Sequence, residues 1–319
     1  MSARVDIVIP TYNGYQHVAH CLTALARQTY PDFRVIVVDD ASTDGTPQRL
    51  RDAWPEVEQL IMPRNVGLVT AVNAALALSS SEYVALLNND TEPEPGWLAG
   101  LVDVLDRHST AAAVASKLLL FDRRDHFHAV GDTYSRSGLP GNRGVWLRDT
   151  GQFEDEEEVF GACAGAALYR RTALDAVARI DGAVLDPMFF MYCEDVDLSW
   201  RLRLLGYTII YAPSAVAYHR LSATGGGPLA SYFVARNTIN VILKDLPGQL
   251  LWRNALSIIG YQMRDVWRTF PHLREPAARA RVLGLLASLR TAPAMLAKRR
   301  KIQHSRTVSH RDIERLLLP

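Results

Sequence analysis

Short unbroken apolar runs alternate with longer amphipathic stretches through the first third of the chain. "VDIVIP" (5–10) reads as a buried strand stopped by Pro10, and "FRVIVVDD" (33–40) as a second strand ending in acids. Between them "YQHVAHCLTALARQ" (15–28) puts Val18, Cys21, Leu22 and Leu25 on one helical face. "TPQRLRDAW" opens a helix with Thr46 as N-cap and Pro47 at the first helical position. "QLIMP" reads as a short strand, "LVTAVNAALALS" (68–79) as a helix, "YVALLNND" (83–90) as a strand and "GWLAGLVDVLDRH" (96–108) as a helix. Strands without polar alternation, separated by helices, imply an α/β fold with a mainly parallel sheet covered on both faces.

The pattern changes further on. Residues 121–160 read as irregular, and "EDEEE" (154–158) as a solvated loop. "VFGACAGAALYRR" (159–171) is a strand of small residues, which lets backbone come close to a ligand or neighbour. Glu194, Asp195 and Asp197 open a helix that Gly206 ends, with Asp197 and Arg201 spaced to pair. "YTIIYAP" and "AVAYH" read as two short strands and "SATGGGP" as a flexible loop. After Pro228 the periodicity is helical, with Leu, Ile and Trp among Arg and Lys. The expected division is a body over 1–228 and a C-terminal basic amphipathic helical region over 229–319.

Composition adds little until charge is located. The 319 residues are 48% hydrophobic and 22% charged, ordinary for a globular chain. Cys21, Cys163 and Cys193 show no ligand spacing and fit a reducing compartment. The N-terminus does not read as a signal peptide, and no uninterrupted apolar run nears the roughly 18 residues of a membrane span. The net charge is +1, yet Arg264–Pro319 holds thirteen Lys/Arg and four Asp/Glu, so this tail carries +9 and the rest −8. A basic tail on an acidic body calls for an anionic partner; a membrane surface is expected, whereas no nucleic-acid module accompanies it.

In open α/β sheets ligands bind beyond the carboxyl ends of the strands. Here "PTYNG", "DDAST" and "NNDTE" end three strands and gather Thr11, Asn13, Asp39, Asp40 and Asp90 along one rim. Taken with "RNVGLVTAVNAAL", "GAALYRR" and "MYCEDVDLSWRLRLLGY…AVAYH", these motifs resemble the family 2 glycosyltransferases of GT-A fold, in particular their bacterial rhamnosyltransferase-like branch. The resemblance spans roughly residues 4–245.

It implies a cytoplasmic enzyme, peripheral at the inner face of the cell membrane. The enzyme would transfer a sugar with inversion from a UDP- or dTDP-sugar, rhamnose first, to a glycan or lipid-linked hydroxyl, using Mg²⁺ or Mn²⁺. Such chemistry needs a carboxylate base for the acceptor hydroxyl and positive charge on the departing diphosphate. The resemblance assigns Asp195 as base and Asp90 with His219 as metal ligands. Pro10, Thr11, Tyr12, Asn13, Asp39, Asp40, Asn65, Gly67, Asn88, Asn89 and Asp90 fall to the donor nucleotide, with Asp40, aided by Asp39, reading the ring N–H of the base. Gly165, Ala166 and Glu194 fall to the sugar and acceptor, and Ser222 and Thr224 to the diphosphate. Asn88 stands where a carboxylate is common, which lowers the negative charge of the metal site. Two other readings are a sugar-nucleotide nucleotidyltransferase and a non-catalytic glycan-binding scaffold. The first loop, "PTYNGYQHV", lacks the glycine-rich basic segment of the former, and Asp90, Asp195 and His219 together argue against the latter.

Overall fold

The computed structural model describes residues 3–220 and 227–319. The expected alternation holds over β1 (Val5–Thr11), α1 (Tyr15–Leu25), β2 (Phe33–Asp39), α2 (Thr46–Ala53), β3 (Glu58–Ile61), α3 (Leu68–Leu78) and β4 (Tyr83–Leu87). Then come β5 (Thr91–Pro93), α4 (Trp97–Arg107), β6 (Ala111–Leu120), β7 (Arg123–Val130), β8 (Asp132–Tyr134), β9 (Pro140–Asn142) and β10 (Glu157–Glu158). β11 (Ala166–Arg170), α5 (Arg171–Asp181), α6 (Glu194–Leu204) and β12 (Thr208–His219) complete the body. The C-terminal helices are α7 (Gly227–Lys244), α8 (Gly248–Arg253), α9 (Ala255–Thr269), α10 (Pro276–His304) and α11 (His310–Glu314), with a 3₁₀ turn at Phe270–His272.

The main sheet runs β10-β12-β6-β11-β4-β1-β2-β3, with β5 added to β12 and β7 to β6. β3, β2, β1 and β4 are mutually parallel, β11 is antiparallel to β4 and β6, and β12 is parallel to β6. One face packs under α1 and α4 through Val18, Leu22, Trp97 and Leu101; the other packs under α3, α6 and α7 through Val72, Trp200 and Val241. The two sides are apolar because the central strands β1, β4 and β6 are buried on both faces.

Several expectations are corrected. Residues 121–160 are not irregular: β7 forms a hairpin with β6, and β8 pairs with β9. The "EDEEE" run is not merely solvated, because Glu154, Glu156, Glu157 and Glu158 pair with Lys117, Arg107, Arg143 and Arg203. Thr46 is not the cap of α2; Gly45 is, and Asp44 accepts hydrogen bonds from the Thr46 amide and hydroxyl at 3.0 and 2.6 Å. Only 166–170 of the 159–171 segment is strand, and the two strands expected after Gly206 are one, β12, whose register with β6 shifts between Ala212 and Val216. The boundary expected at 228/229 falls inside α7, because α7 contributes Val241 and Ile242 to the core of the body.

α10 also departs from expectation, being long and apolar enough by length and composition to cross a membrane. It lies instead along α7. A Cβ on Gly284 would sit 2.2 Å from the Tyr232 carbonyl oxygen, Thr291 donates to Asn240 at 2.6 Å, and Arg299 donates to the Leu243 carbonyl at 3.1 Å.

A buried ion cluster joins α7 and α10 to the body. The Lys244 ammonium, fully inaccessible, meets Asp181, Asp186 and Asp197 at 2.7, 2.8 and 2.6 Å. Lys298 of α10 adds contacts to Asp186 at 2.8 Å and Asp181 at 3.3 Å, and Arg201 pairs with Asp197 as its spacing suggests. Burial works to raise Asp186, but Lys244 and Lys298 hold it at about 2. Asp245 is pushed well above the carboxylate range by burial and by Asp197. Lys244→Met leaves three buried carboxylates short of their shared cation; a loss of about 3–5 kcal/mol is expected in urea unfolding.

Candidate active site

The carboxyl ends of β1, β2 and β4 form a shelf whose loops hold one another. Asn13, at positive φ, accepts from the Thr43 amide at 2.8 Å while its own amide donates to the Ser42 hydroxyl at 2.7 Å. Asp40 spends one oxygen on the Val66 amide (2.8 Å) and the other on the Gly67 amide (2.9 Å), fixing the entry to α3. Asp39 accepts from the Ser42 amide at 2.7 Å through one oxygen; its other oxygen is buried and unpartnered. Of the two acids it therefore has the freer acceptor. Gly67, at φ +86°, lies under the Phe190 ring, where a Cβ would come within 2.4 Å of it. Tyr12 and Asn65 are exposed at the edge of this shelf.

Asp90 and His219, 129 positions apart, meet because β5 adds to β12 with Thr91 opposite His219. The Asp90 carboxylate lies 3.1 Å from His219 Nε2, and the Asn88 amide nitrogen lies 3.3 Å from the same atom. His219 Nδ1 faces His128 Nδ1 at 3.0 Å, and His128 Nε2 faces Asn142 at 3.4 Å. Burial, and then the neighbouring His219, push His128 down to about 3, so it is neutral near pH 7. One of the two facing Nδ1 atoms must carry the proton. If it belongs to His219, Nε2 keeps its lone pair toward Asp90 and can bind a cation. One carboxylate and one imidazole suit a divalent cation that takes further ligands from a diphosphate and water. Among the described residues no group of three or more His, Cys, Asp or Glu is poised to hold a metal by itself.

Across the same cavity, of 340 Å³, stand Glu194 and Asp195, with Cys163, Ala164 and Gly165 on its floor. A Cβ at Gly165 would lie 3.4 Å from the Asn88 amide and 3.5 Å from His219, in ordinary contact with both. Asp195 accepts from the Ala164 amide at 3.2 Å and the Val196 amide at 2.8 Å. Burial raises its pKa against these two hydrogen bonds. Glu194, with one buried unpartnered oxygen, is lifted to about 8 by burial and by Asp195.

The backbone before α6 is unusual: Phe190, Tyr192 and Cys193 all have φ near +60°, at 65°, 65° and 61°. Left-handed geometry in such residues costs about 1–3 kcal/mol each and persists only when the surroundings enforce it. Enforcement comes from α7, where the Asn237 amide nitrogen donates to the carbonyls of Phe189, Met191 and Tyr192 at 3.1, 2.9 and 2.7 Å. Arg236 adds the Met188 and Phe189 carbonyls, both at 2.8 Å.

Pro10, Asn88, Asp90, Gly165, Glu194, Asp195 and His219 thus line one cavity, with Tyr12, Asn13, Asp39, Asp40, Asn65 and Gly67 on the neighbouring shelf. Three expected residues sit beneath rather than in it. Thr11 accepts a hydrogen bond from buried Asn89 at 3.0 Å, so this pair braces the first loop, and Ala166 is sealed in the apolar layer; Ala164 takes its place on the floor. Ser222 and Thr224 lie outside the described residues. Sequence reasoning missed His128, Asn237 and Asp132; Asp132, fully buried, is raised well above the carboxylate range by burial and by Asp195.

The family model described as "Glycosyl transferase family 2" matches residues 6–178, more than half of the chain. The chain belongs to glycosyl transferase family 2. An N-acetylglucosaminyl-diphospho-decaprenol L-rhamnosyltransferase of Mycobacterium tuberculosis is 28% identical over 270 residues, covering 77% of this chain and 85% of that protein. A pre-mycofactocin glycosyltransferase of the same species is 29% identical over 67% of this chain and 42% of its own. Among solved structures, GalNAc-T7 with UDP, GalNAc and Mn²⁺ superposes with a TM-score of 0.60 at 15% identity, over 75% of this chain and 48% of that one, so the chain spans about half its length. The mannosyltransferase PcManGT of Pyrobaculum calidifontis, with GDP-Man and Mn²⁺, gives 0.57 at 18% identity, over 99% of this chain and 84% of that one. These likenesses establish the GT-A fold, and the protein is a glycosyltransferase.

Because Asn237 holds the left-handed segment that leads into Asp195, Asn237→Ala leaves three carbonyls without their donor, and a loss of about 1–3 kcal/mol is expected in urea unfolding.

Proposed function

We propose that this glycosyltransferase moves a sugar with inversion from a dTDP- or UDP-sugar, rhamnose first, onto a hydroxyl of a lipid-linked or cell-surface glycan acceptor. The observation that carries the reading is the convergence of Asp90 and His219 on one wall of a cavity whose other side presents Glu194 and Asp195. A second support is the rhamnosyltransferase relative, whose name specifies a diphospho-decaprenol acceptor. Residues up to 228 hold the groups that touch substrate, and the helices beyond position them and face the inner surface of the membrane.

The site supports these roles. Tyr12 lies against the base, and the Asp39–Asp40 pair accepts its ring N–H, Asp39 through its unpartnered oxygen. Asp90 and His219 would hold Mg²⁺ or Mn²⁺, which supplies Lewis-acid charge to the diphosphate. Gly165 and Ala164 leave room for the sugar over the cavity floor. Asp195 takes the acceptor proton as the acceptor oxygen bonds to the anomeric carbon and the bond from that carbon to the diphosphate oxygen breaks. Glu194, protonated at neutral pH, donates a hydrogen bond toward the acceptor.

Asp195→Asn should cut turnover by about 10²–10⁴-fold yet leave nucleotide binding intact; retained turnover would remove Asp195 as the base. Asp195 must be ionised to act and its folded pKa is raised, so kcat/KM should be lost as pH falls through a value above the ordinary Asp range of about 3.9. A pH–rate profile limited only below that range would contradict this placement. With two protein ligands, Mn²⁺ should bind weakly to the free protein and at least about tenfold more tightly with UDP or dTDP present. Equal affinities in calorimetry would rule out a cation shared with the diphosphate.

A further inference from the structure

α8, α9 and the 3₁₀ turn after them carry large apolar side chains on the outside of the molecule. Trp252, Leu256, Ile259, Met263, Trp267 and Phe270 recur every three or four residues, and Trp252, Leu256 and Trp267 are 82%, 88% and 80% exposed. At 100° per residue the four on α9, Leu256, Ile259, Met263 and Trp267, fall within about a quarter of the helix circumference, with Trp252 of α8 and Phe270 of the turn at either end. The opposite side of α9 is the one that packs, through buried Ile258. Among the described residues nothing covers the apolar stripe, which runs for roughly 27 Å at 1.5 Å per residue. A stripe of this size on a soluble surface marks a docking site.

Charge identifies the occupant. Arg264 and Arg268 are exposed on the same helix, flanking the stripe on one side, and exposed Arg274 and Arg279 follow it. The only acid between residues 248 and 272 is Asp265, and its carboxylate accepts from Arg281 at 2.6 Å. A second copy of this face would bring mostly arginine, with Glu275 as an exposed acid at its far end, whereas an anionic lipid headgroup layer supplies counter-charge along the whole stripe. Tryptophan at both ends of the stripe suits the boundary between headgroups and acyl chains. We propose that this face is an in-plane anchor: α8 and α9 lie in the surface of an anionic phospholipid bilayer, apolar stripe down, with the arginines at phosphate level. The proposal deepens the lipid-linked acceptor reading, on which its purpose rests, since an enzyme held in this way meets such acceptors in two dimensions. α10 remains packed on α7 and does not cross the bilayer.

The test is flotation of the full chain with vesicles of phosphatidylglycerol and phosphatidylcholine, and with phosphatidylcholine alone. The intact protein should float with the anionic vesicles, and less so as salt rises. Leu256→Glu/Met263→Glu/Trp267→Glu should lower partitioning by at least about tenfold with an unchanged melting temperature, since these side chains are largely exposed. Arg264→Gln/Arg268→Gln should reduce the preference for anionic vesicles. Quenching of intact-protein tryptophan emission by brominated lipids checks the depth without any substitution. Failure of the intact chain to float, equal flotation of the triple variant, or absence of quenching overturns the proposal. So does a dimer in light scattering that the triple variant dissolves while no vesicles bind, which would assign the face to self-association. Thermal shift with UDP and dTDP on the same samples separates the two readings: flotation without a nucleotide shift sinks the UDP- or dTDP-sugar reading and keeps the anchor, and a shift without flotation does the reverse.

Discussion

Lys244 enters a pocket of carboxylates with no access to water, and the cost of burying that charge dictates much of the architecture around it. An ammonium in such a place needs several anions within contact distance, and each of its partners comes from a different part of the chain. Asp181 ends α5, Asp197 lies in the first turn of α6, and Asp186 sits in the loop between them. To satisfy Lys244, these three pieces must close around α7. Closure sets where α6 begins, and α6 begins with Glu194 and Asp195. Lys298 on α10 binds two of the same acids, so the long C-terminal helix is tied to the cluster as well.

Much of the fold was legible because parallel strands buried on both faces leave an unmistakable apolar signature, and because such a sheet puts every carboxyl end on one edge. That reasoning reached Asp39, Asp40 and Asp90 from residues alone. It could not pair Asp90 with His219, whose meeting depends on β5 joining β12; only the resemblance suggested it. β7 was hidden by Arg123, Arg124 and Asp125, which occupy its exposed start, and by a register shift against β6 at His128, which sends Phe127 and Ala129 to opposite sides of the sheet and leaves no period-two signal. Asn237 and Lys244 left no trace, because a lone amide or lysine in a helix normally belongs to a wet surface, and only tertiary closure makes them interior.

The donor shelf and the segment before α6 are separate in sequence but touch at Gly67. Its amide donates to Asp40 and its α-carbon is roofed by Phe190, while the Val69 amide donates to the Phe190 carbonyl at 3.1 Å. Asn73 of α3 completes the seam, exchanging hydrogen bonds with the backbone of Leu185 at 2.6 and 3.0 Å. A glycine that reads as a turn former is in this setting the hinge point of two working surfaces.

The three left-handed residues ahead of Asp195 carry a wider meaning. Their geometry is imposed by Asn237 and Arg236, from a helix that lies beyond the 6–178 span of the family match. The shelf at the carboxyl ends of β1 and β2 lies within that span, whereas the segment before Asp195 takes its shape from a helix outside it, and the two meet where Phe190 covers Gly67. A change in α7 would therefore be felt first at the entry to α6 and, through Phe190, at the entry to α3.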